Sequence, residues 1–408
     1  MATPTITPKQ EDYLMATVKA ARELWLSPHA NMVEVERLYM AVVNDDDGGA
    51  DNLMITEDVD DTSGNIHMHT NPVKKTISDE SADIKISGSE KLALLLCQSG
   101  RSKEASSILS SLGYTCRLSS IVLDYQSSAT AAATPCTSVP SATPRPCRMF
   151  DNFLTPQELK VLQDVFLDQK ASYWVDHSYQ VEPPSPYFSY LIPLKEIDQF
   201  GFIGHVVQKV YQQMLPFFPN LSKTTCIEMW AHNRPHASGH QFHFDSDNEG
   251  YGGVRNPIIS TILYLTGGTG GPSLVTNQKL IHQQLASKGW VSHAKEKRLV
   301  AFDGRVLHGV VPGKGSSDAS RRVTLMFAFW KKIKVRTEGS AARAFPTDDA
   351  AAWAEHLRRD KKLETSSSSS PMVAVDPMEI KPIYETLEGV PWTREMGFPE
   401  YDKVYQGF

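Results

Sequence analysis

The chain has few cysteines, no long apolar run and no surplus of basic charge, and each lack removes a class of protein. Its five cysteines (Cys97, Cys116, Cys136, Cys147 and Cys226) fall without the paired spacing of a metal knuckle or a disulfide framework. They read as reduced, incidental residues of a reducing compartment. No segment reaches the roughly 20 apolar residues of a membrane-spanning helix. The opening MATPTITPKQED has neither a basic start nor an apolar stretch, so no secretory signal is read there. The expectation is a soluble intracellular protein, cytoplasmic or nuclear, with no membrane partner. A formal net charge of -6 speaks against nucleic acid, because phosphate binding needs a concentrated basic surface. What is there is ordinary for a globular chain: 408 residues, 41% hydrophobic and 22% charged, enough for two or three units of roughly 150 residues.

Apolar positions recur at helical spacing through Leu14, Met15, Val18, Ala21 and Trp25, then Val35, Leu38, Tyr39 and Val42, with Ser27-Pro28 as a break. Two packed helices are predicted. A second helical hairpin follows, with Leu92, Leu95 and Leu96 before a turn at Ser99-Gly100 and Ala105, Ile108, Leu109 and Leu112 after it. One such pair cannot bury a solenoid core, so residues 1–126 read as a small helical N-terminal region with an acidic loop. That loop, NDDDGGADNLMITEDVDD, is not a calcium site: aligning Gly48 with the loop glycine places Val43 and Met54 at ligand positions. A solvated linker fits it better.

Residues 127–147 are poor in groups worth burying and carry several prolines, which predicts a flexible linker. The second domain, 148–336, opens on Thr155-Pro156-Gln157-Glu158, a helix start with a capping residue, proline at the first position and Glu at the third. Another helix is expected over 200–214. Then come short β-rich runs, CIEMW, STILYLT, SLVTN, RLVAFD and RVTLMFAFW, which predict an α+β chain whose core is a β-sandwich or closed roll. Residues 337–408 hold a helix near 348–361, a Ser-rich break and an aromatic tail with Trp392, Phe398, Tyr401, Tyr405 and Phe408. That tail either wraps the domain or docks a partner.

The sharpest chemical signal is GHQFHFDSD, where His243 and Asp245 occupy alternate positions and so share one face of an extended chain. Alone the pair is weak, and His67-Met68-His69 in the N-terminal loop reads as a surface pair. A second histidine, His308 in RLVAFDGRVLHGVVPG, completes a set of two histidines and a carboxylate. Such a facial triad leaves adjacent metal positions open, as oxygen-activating iron requires, although hydrolytic zinc uses the same ligands. Arg322 and Thr324 in SRRVTLMFAFW share a strand face. A guanidinium fork plus a hydroxyl suits the distal carboxylate of a dicarboxylate. Arg321 competes for that role.

The neighbours read more blandly. His240 lies three residues before His243 and is expected on the opposite face, in a supporting or exposed place. Asp247, two residues further on, could in principle replace Asp245. Trp230, His232 and Arg234 alternate on one side, with His232 favoured as a pocket liner. His205 is expected at the core or rim of its helix, and Lys331, Lys332, Lys334 and Arg336 read as a solvated strand end.

Together these residues resemble the Fe(II)- and 2-oxoglutarate-dependent dioxygenase superfamily, in its prolyl 4-hydroxylase-like branch, over roughly residues 148–332. His243 and Asp245 match the family's His-x-Asp pair, His308 its distal histidine and Arg322 the arginine on the following strand. STILYLTGGTGGPSL is similar to a family strand and Gly-Gly turn, which implies that Tyr264 donates its hydroxyl to 2-oxoglutarate. DNFLTPQEL is similar to the entry helix. The chain departs from the pattern in a longer His308 to Arg322 interval, GKGSSDAS, and in Gly270-Gly271-Pro272-Ser273 where Gly-Gly-Glu-Thr is frequent. The resemblance implies a double-stranded β-helix (jelly-roll, cupin-like) core, Fe(II), 2-oxoglutarate and O2, with ascorbate as an optional addition. It also implies hydroxylation of a C–H bond with release of succinate and CO2. A prolyl residue of a protein or peptide is the leading substrate and a free small molecule the alternative. A non-catalytic β-roll that binds a metal or ligand, with a helical interaction module, is the competing reading.

Overall fold

The computed structural model describes residues 8–26, 32–43, 77–126, 146–181, 188–247, 255–281, 284–315, 320–333, 342–346, 351–359, 370–397 and 399–407. The acidic loop with His67-Met68-His69, the linker up to residue 145, Lys334, Arg336 and the Ser-rich break lie outside the described residues. The N-terminal apolar spacing produces helices α1 (Pro8–Leu26), α2 (Met32–Val43), α3 (Ile77–Gln98) and α4 (Ser102–Ser111). Leu14 packs on Val42 and Ile84. Gly100 makes the α3–α4 turn at φ +78°, a conformation that costs glycine no steric strain. Strand β1 (Cys116–Leu118) and the short α5 (Ser120–Leu123) follow.

The second region runs β2 (Cys147–Asp151), α6 (Pro156–Phe166), α7 (Ser172–Val175), β3 (Ser189–Pro193), α8 (Gly201–Met214), β4 (Cys226–Pro235) and β5 (His240–His243). It continues through β6 (Ile259–Tyr264), β7 (Ser273–Lys279), β8 (Gly289–Ser292), β9 (Leu299–Asp303), β10 (Val306–Val310) and β11 (Arg321–Trp330). Last come β12 (Ala342–Ala344), α9 (Ala352–Arg358), β13 (Val373–Val375), β14 (Met378–Ile380), β15 (Tyr384–Thr386) and β16 (Val404–Tyr405). The expected start of α6 forms a full capping box: the Thr155 hydroxyl accepts from the Glu158 N–H and the Glu158 carboxylate from the Thr155 N–H.

Two sheets carry the fold, an eight-stranded one in the order β12-β3-β4-β11-β6-β9-β2-β13 and a five-stranded one in the order β14-β8-β7-β10-β5. The chain is therefore mixed α+β with a sandwich of largely antiparallel sheets. Strand alternation assigns the faces. In β11, Val323, Leu325, Phe327 and Phe329 pack with apolar residues of α6, α8 and α9. Met326, Ala328 and Trp330 point the other way, into a core shared with Tyr264, Val275 and Trp290. That second core lies between the sheets, so the even-numbered residues of β11 face the interior of the sandwich.

The outer face of the smaller sheet is covered by the chain ends. Phe242, Leu274, Val291, Leu307 and Val311 share a core with Leu92 and Leu96 of α3 and with Ile380, Ile383, Tyr384 and Tyr405 of the tail. The tail also extends the sheets: β13 pairs with β2, β14 with β8, and β15 and β16 flank β1. Of the two expectations for the tail, wrapping is the observed one over its described residues. No helix among the described residues is long and apolar enough to cross a membrane. Cys97, Cys116, Cys147 and Cys226 are free thiols, and burial pushes Cys147 up to about 12.

An ion cluster built on the buried pair Asp151 and Arg298, with the exposed Lys295 added from outside, ties β2 to the loop before β9. The Asp151 carboxylate accepts from Arg298 Nε at 2.6 Å and Nη2 at 3.1 Å, and from Lys295 Nζ at 2.6 Å. Burial alone would raise the Asp151 pKa, but the hydrogen bonds from Arg298 and Lys295 outweigh it and hold the carboxyl below its usual range. Removing one partner of such a pair strands the other charge out of water. Asp151→Ala is expected to lose about 3 kcal/mol in denaturant unfolding at neutral pH. Because the folded pKa is depressed, this contribution is present above the unfolded value near pH 4 and fades as pH falls through the folded one. The gap between wild type and variant should therefore narrow in acid, and a gap that held constant would contradict the assignment.

Candidate functional site

His243 ends β5, Asp245 follows two residues on, and His308 sits in the middle of β10, where it pairs directly with His243. His308 occupies its own short strand, reached from β9 by a turn at Gly304-Arg305 that carries the chain from the larger sheet to the smaller. The carboxylate lies between the imidazoles: Asp245 Oδ1 is 3.4 Å from His243 Nε2 and 3.6 Å from His308 Nε2. Donor atoms of the three residues all fall within 4.8 Å of one another, a set that can hold a metal ion.

Backbone carbonyls fix the rings. His243 Nδ1 donates to Gln241 O at 2.8 Å and His308 Nδ1 to Val306 O at 3.1 Å. A carbonyl only accepts, so Nδ1 carries a proton and Nε2 is the nitrogen turned toward the shared centre. Burial pushes His308 down to about 4. Asp245 is held well below the usual carboxylate range, since His308, His243 and the Ser260 hydroxyl outweigh the burial that would raise it. Burial also opposes charge on His243, but Asp245 outweighs it and raises that pKa. A neutral His308 and an ionised Asp245 are the ligand forms a cation needs.

His240 corrects the face expected of it, though it does hold a supporting place. Its ring stacks on His243 with centroids 4.8 Å apart and meets His232 edge-on at 4.9 Å. The cause is an irregular register: His308 pairs with His243 and Val310 with His240, so two steps along β10 answer three along β5. The extra residue in β5 is a bulge, and a bulge re-aims the side chain beside it. His232 lies on β4, on the same face as Trp230, which packs in the inter-sheet core.

The two candidate arginines separate by face. Arg321 points outward, its Nε donating to Asn233 Oδ1 at 2.5 Å and its Nη2 to Asn233 O at 2.7 Å. Arg322 points inward, is 2% exposed, and donates from Nη1 to Gly271 O at 3.5 Å. Its Nε is buried with no partner among the described residues. Burial lowers its pKa to about 10, so the charge is held out of water without full compensation. Gly270, at φ +80°, lets the side chain lie close, because an added Cβ would stand 3.1 Å from Arg322 Cδ. Thr324 follows on the same face, paired in register with His232 and Tyr264. The Tyr264 hydroxyl is buried against Ser273 Oγ at 2.8 Å and Ser292 O at 3.3 Å.

The remaining candidates fall away from the centre. Asp247 is engaged by Arg255 Nε at 2.6 Å. His205 is on the rim of α8 with Glu158 at 2.9 Å, and Lys331 and Lys332 are exposed. Two supports were not foreseen. The Ser260 hydroxyl bonds Asp245 Oδ2, and Asn256 Nδ2 donates to Asp245 O at 2.7 Å. Ser260, Ile262 and Tyr264 share a face by alternation, which is the signal that would have found Ser260. Ser260→Ala is expected to weaken Mn(II) or Fe(II) binding by roughly tenfold, as loss of a ligand-orienting partner does. Calorimetric titration of the metal checks it, and an unchanged affinity would remove Ser260 from the site.

No protein-family model and no curated protein sequence matches the chain. Solved structures do. A Pseudomonas putida prolyl-4-hydroxylase matches at 16% identity with TM-score 0.31, over 46% of this chain and 89% of that one. The collagen prolyl hydroxylase of Paramecium Bursaria Chlorella virus-1, solved with 2-oxoglutarate, matches at 13% and 0.28, over 45% of this chain and 96% of that one. A Trichoplax adhaerens prolyl hydroxylase, in complex with a hypoxia inducible factor peptide, matches at 11% and 0.28, over 46% and 84%. All three are prolyl hydroxylases by name.

Proposed function

We propose that the protein is an Fe(II)- and 2-oxoglutarate-dependent dioxygenase that hydroxylates a substrate C–H bond, on a core whose two facing sheets form a double-stranded β-helix. One observation carries the reading: an open two-histidine, one-carboxylate set shares the interior of the sandwich with a buried arginine whose Nε has no partner. The open set suits a metal that must admit further ligands. The unsatisfied guanidinium suits an anion brought in from solution.

In this reading His243, Asp245 and His308 hold the metal. Arg322 takes the distal carboxylate of 2-oxoglutarate, with Thr324 beside it. Tyr264 reaches the same carboxylate only by giving up its bond to Ser273 or Ser292. When bound, the iron and cosubstrate supply the oxidation that consumes O2 and yields succinate, CO2 and a hydroxylated product. The chain's own part is positional. Gln241 and Val306 carbonyls aim the imidazoles, Ser260 aims the carboxylate, and Trp230, Met326 and Trp330 form a dry wall between the sheets. The carbonyl contacts at Nδ1 turn each Nε2 toward the shared centre, the atom a cation would take. A prolyl residue of a protein or peptide and a free small molecule are the two substrate classes carried forward from the resemblance.

With Fe(II) supplied, the purified protein is expected to convert 2-oxoglutarate to succinate even without primary substrate, and Asp245→Ala to fall to background. Arg322→Lys, which replaces a planar fork by a point charge, should raise the KM for 2-oxoglutarate by about tenfold or more, worth roughly 1.4 kcal/mol. Arg321→Lys should leave that KM in place. Succinate release that survived Asp245→Ala would remove the triad, and no iron-dependent consumption at all would favour a binding protein over an enzyme.

A further inference from the structure

Arg322 has a second arginine directly across from it. Arg234 on β4 pairs in register with Arg322 on β11, and both lie on the face that carries Trp230, His232 and Met326 into the interior. Directly opposed residues on one sheet face stand about 5 Å apart at Cβ, and like charges there repel. Neither guanidinium forms an ion pair among the described residues. Arg234 donates from Nη1 to Gly239 O at 3.0 Å and Arg322 from Nη1 to Gly271 O. Among the described residues each keeps a buried Nε without a partner, and His232 a buried Nδ1.

Two opposed cations with orphaned donors exceed what one carboxylate needs. An anion held by Arg322 satisfies that fork, while Arg234 Nε and His232 Nδ1 stay unmet. These two sit on the wall that runs from His232 through the His240 ring to His243, the metal-side histidine. We infer that Arg234, with His232, forms a second anion subsite that holds an oxoanionic group of a small primary substrate beside the metal centre. The inference rests on the dioxygenase reading, which gives Arg322 to 2-oxoglutarate, and it selects the small-molecule class over a neutral prolyl peptide. A free acid fits because the orphaned atoms are buried inside the sandwich and not on an open groove.

The test uses the full chain loaded with Mn(II), which permits binding without turnover, and saturated with 2-oxoglutarate. Inorganic sulfate and, in a separate arm, acetate are titrated while thermal unfolding is followed, the two arms distinguishing a tetrahedral from a planar oxoanion. Wild type should show a saturable rise in Tm with at least one of them. Arg234→Met and the more conservative Arg234→Gln should both lose that rise and keep their 2-oxoglutarate affinity within about threefold. A wild type with no saturable response, or variants that respond as it does, would overturn the subsite. A tenfold loss of 2-oxoglutarate affinity in both variants would also overturn it, since Arg234 would then serve the cosubstrate. If instead wild type bound no 2-oxoglutarate, the dioxygenase reading itself would fall, and the second subsite with it.

Discussion

Everything about the site follows from holding charge inside an apolar sandwich. A buried carboxylate or guanidinium left alone is costly enough to be neutralised or expelled. Asp245 avoids that cost through two imidazoles and a hydroxyl packed around it, and the result is a site whose ligand atoms already converge. Arg322 and Arg234 meet no such compensation within the described chain. The same physics thus divides the interior in two, one half satisfied by its own residues and one half, among the described residues, left with unpartnered donors.

Much of this was legible because strands alternate. The identity of the inward residues in β11, and so the choice between Arg321 and Arg322 as the inward one, follows from counting by twos from Trp330. The Thr155 capping box, the helix at 201–214 and the strand runs were readable for similar local reasons, and a His-x-Asp pair is read as two residues on one face. His240 was misplaced because a bulge breaks the count, and a bulge is set by how β5 meets β10, not by β5 alone. Asn233 was invisible as the partner that draws Arg321 outward, since that contact spans two strands far apart in sequence. The tail could not be placed for the same reason: its strands β13, β14, β15 and β16 are short, and pairing with distant edges, not intrinsic propensity, fixes them.

The site also depends on layers it does not touch. β10 carries His308 inward and Leu307 outward, and Leu307 is packed with Leu92, Leu96 and Ile383 from the two chain ends. A strand clamped on both faces keeps its register, which matters where a slip of one residue would turn the imidazole to the wrong side.

The shared core has a consequence for how the protein can be divided. Beyond β10 the chain passes through Pro312 and Lys314, where Gln98 Nε2 and the Tyr125 hydroxyl donate to Pro312 O at 3.0 and 3.3 Å, and the Lys314 N–H donates to Tyr125 Oη at 2.9 Å. Residues encoded early in the chain therefore grip the segment leading from the last metal-side histidine toward the arginine strand. A fragment beginning at β2 would keep the tail but lose the α3 share of the cover over Leu274, Leu307 and Val311, so the region that carries the triad is not an autonomous cassette and needs its N-terminal helices.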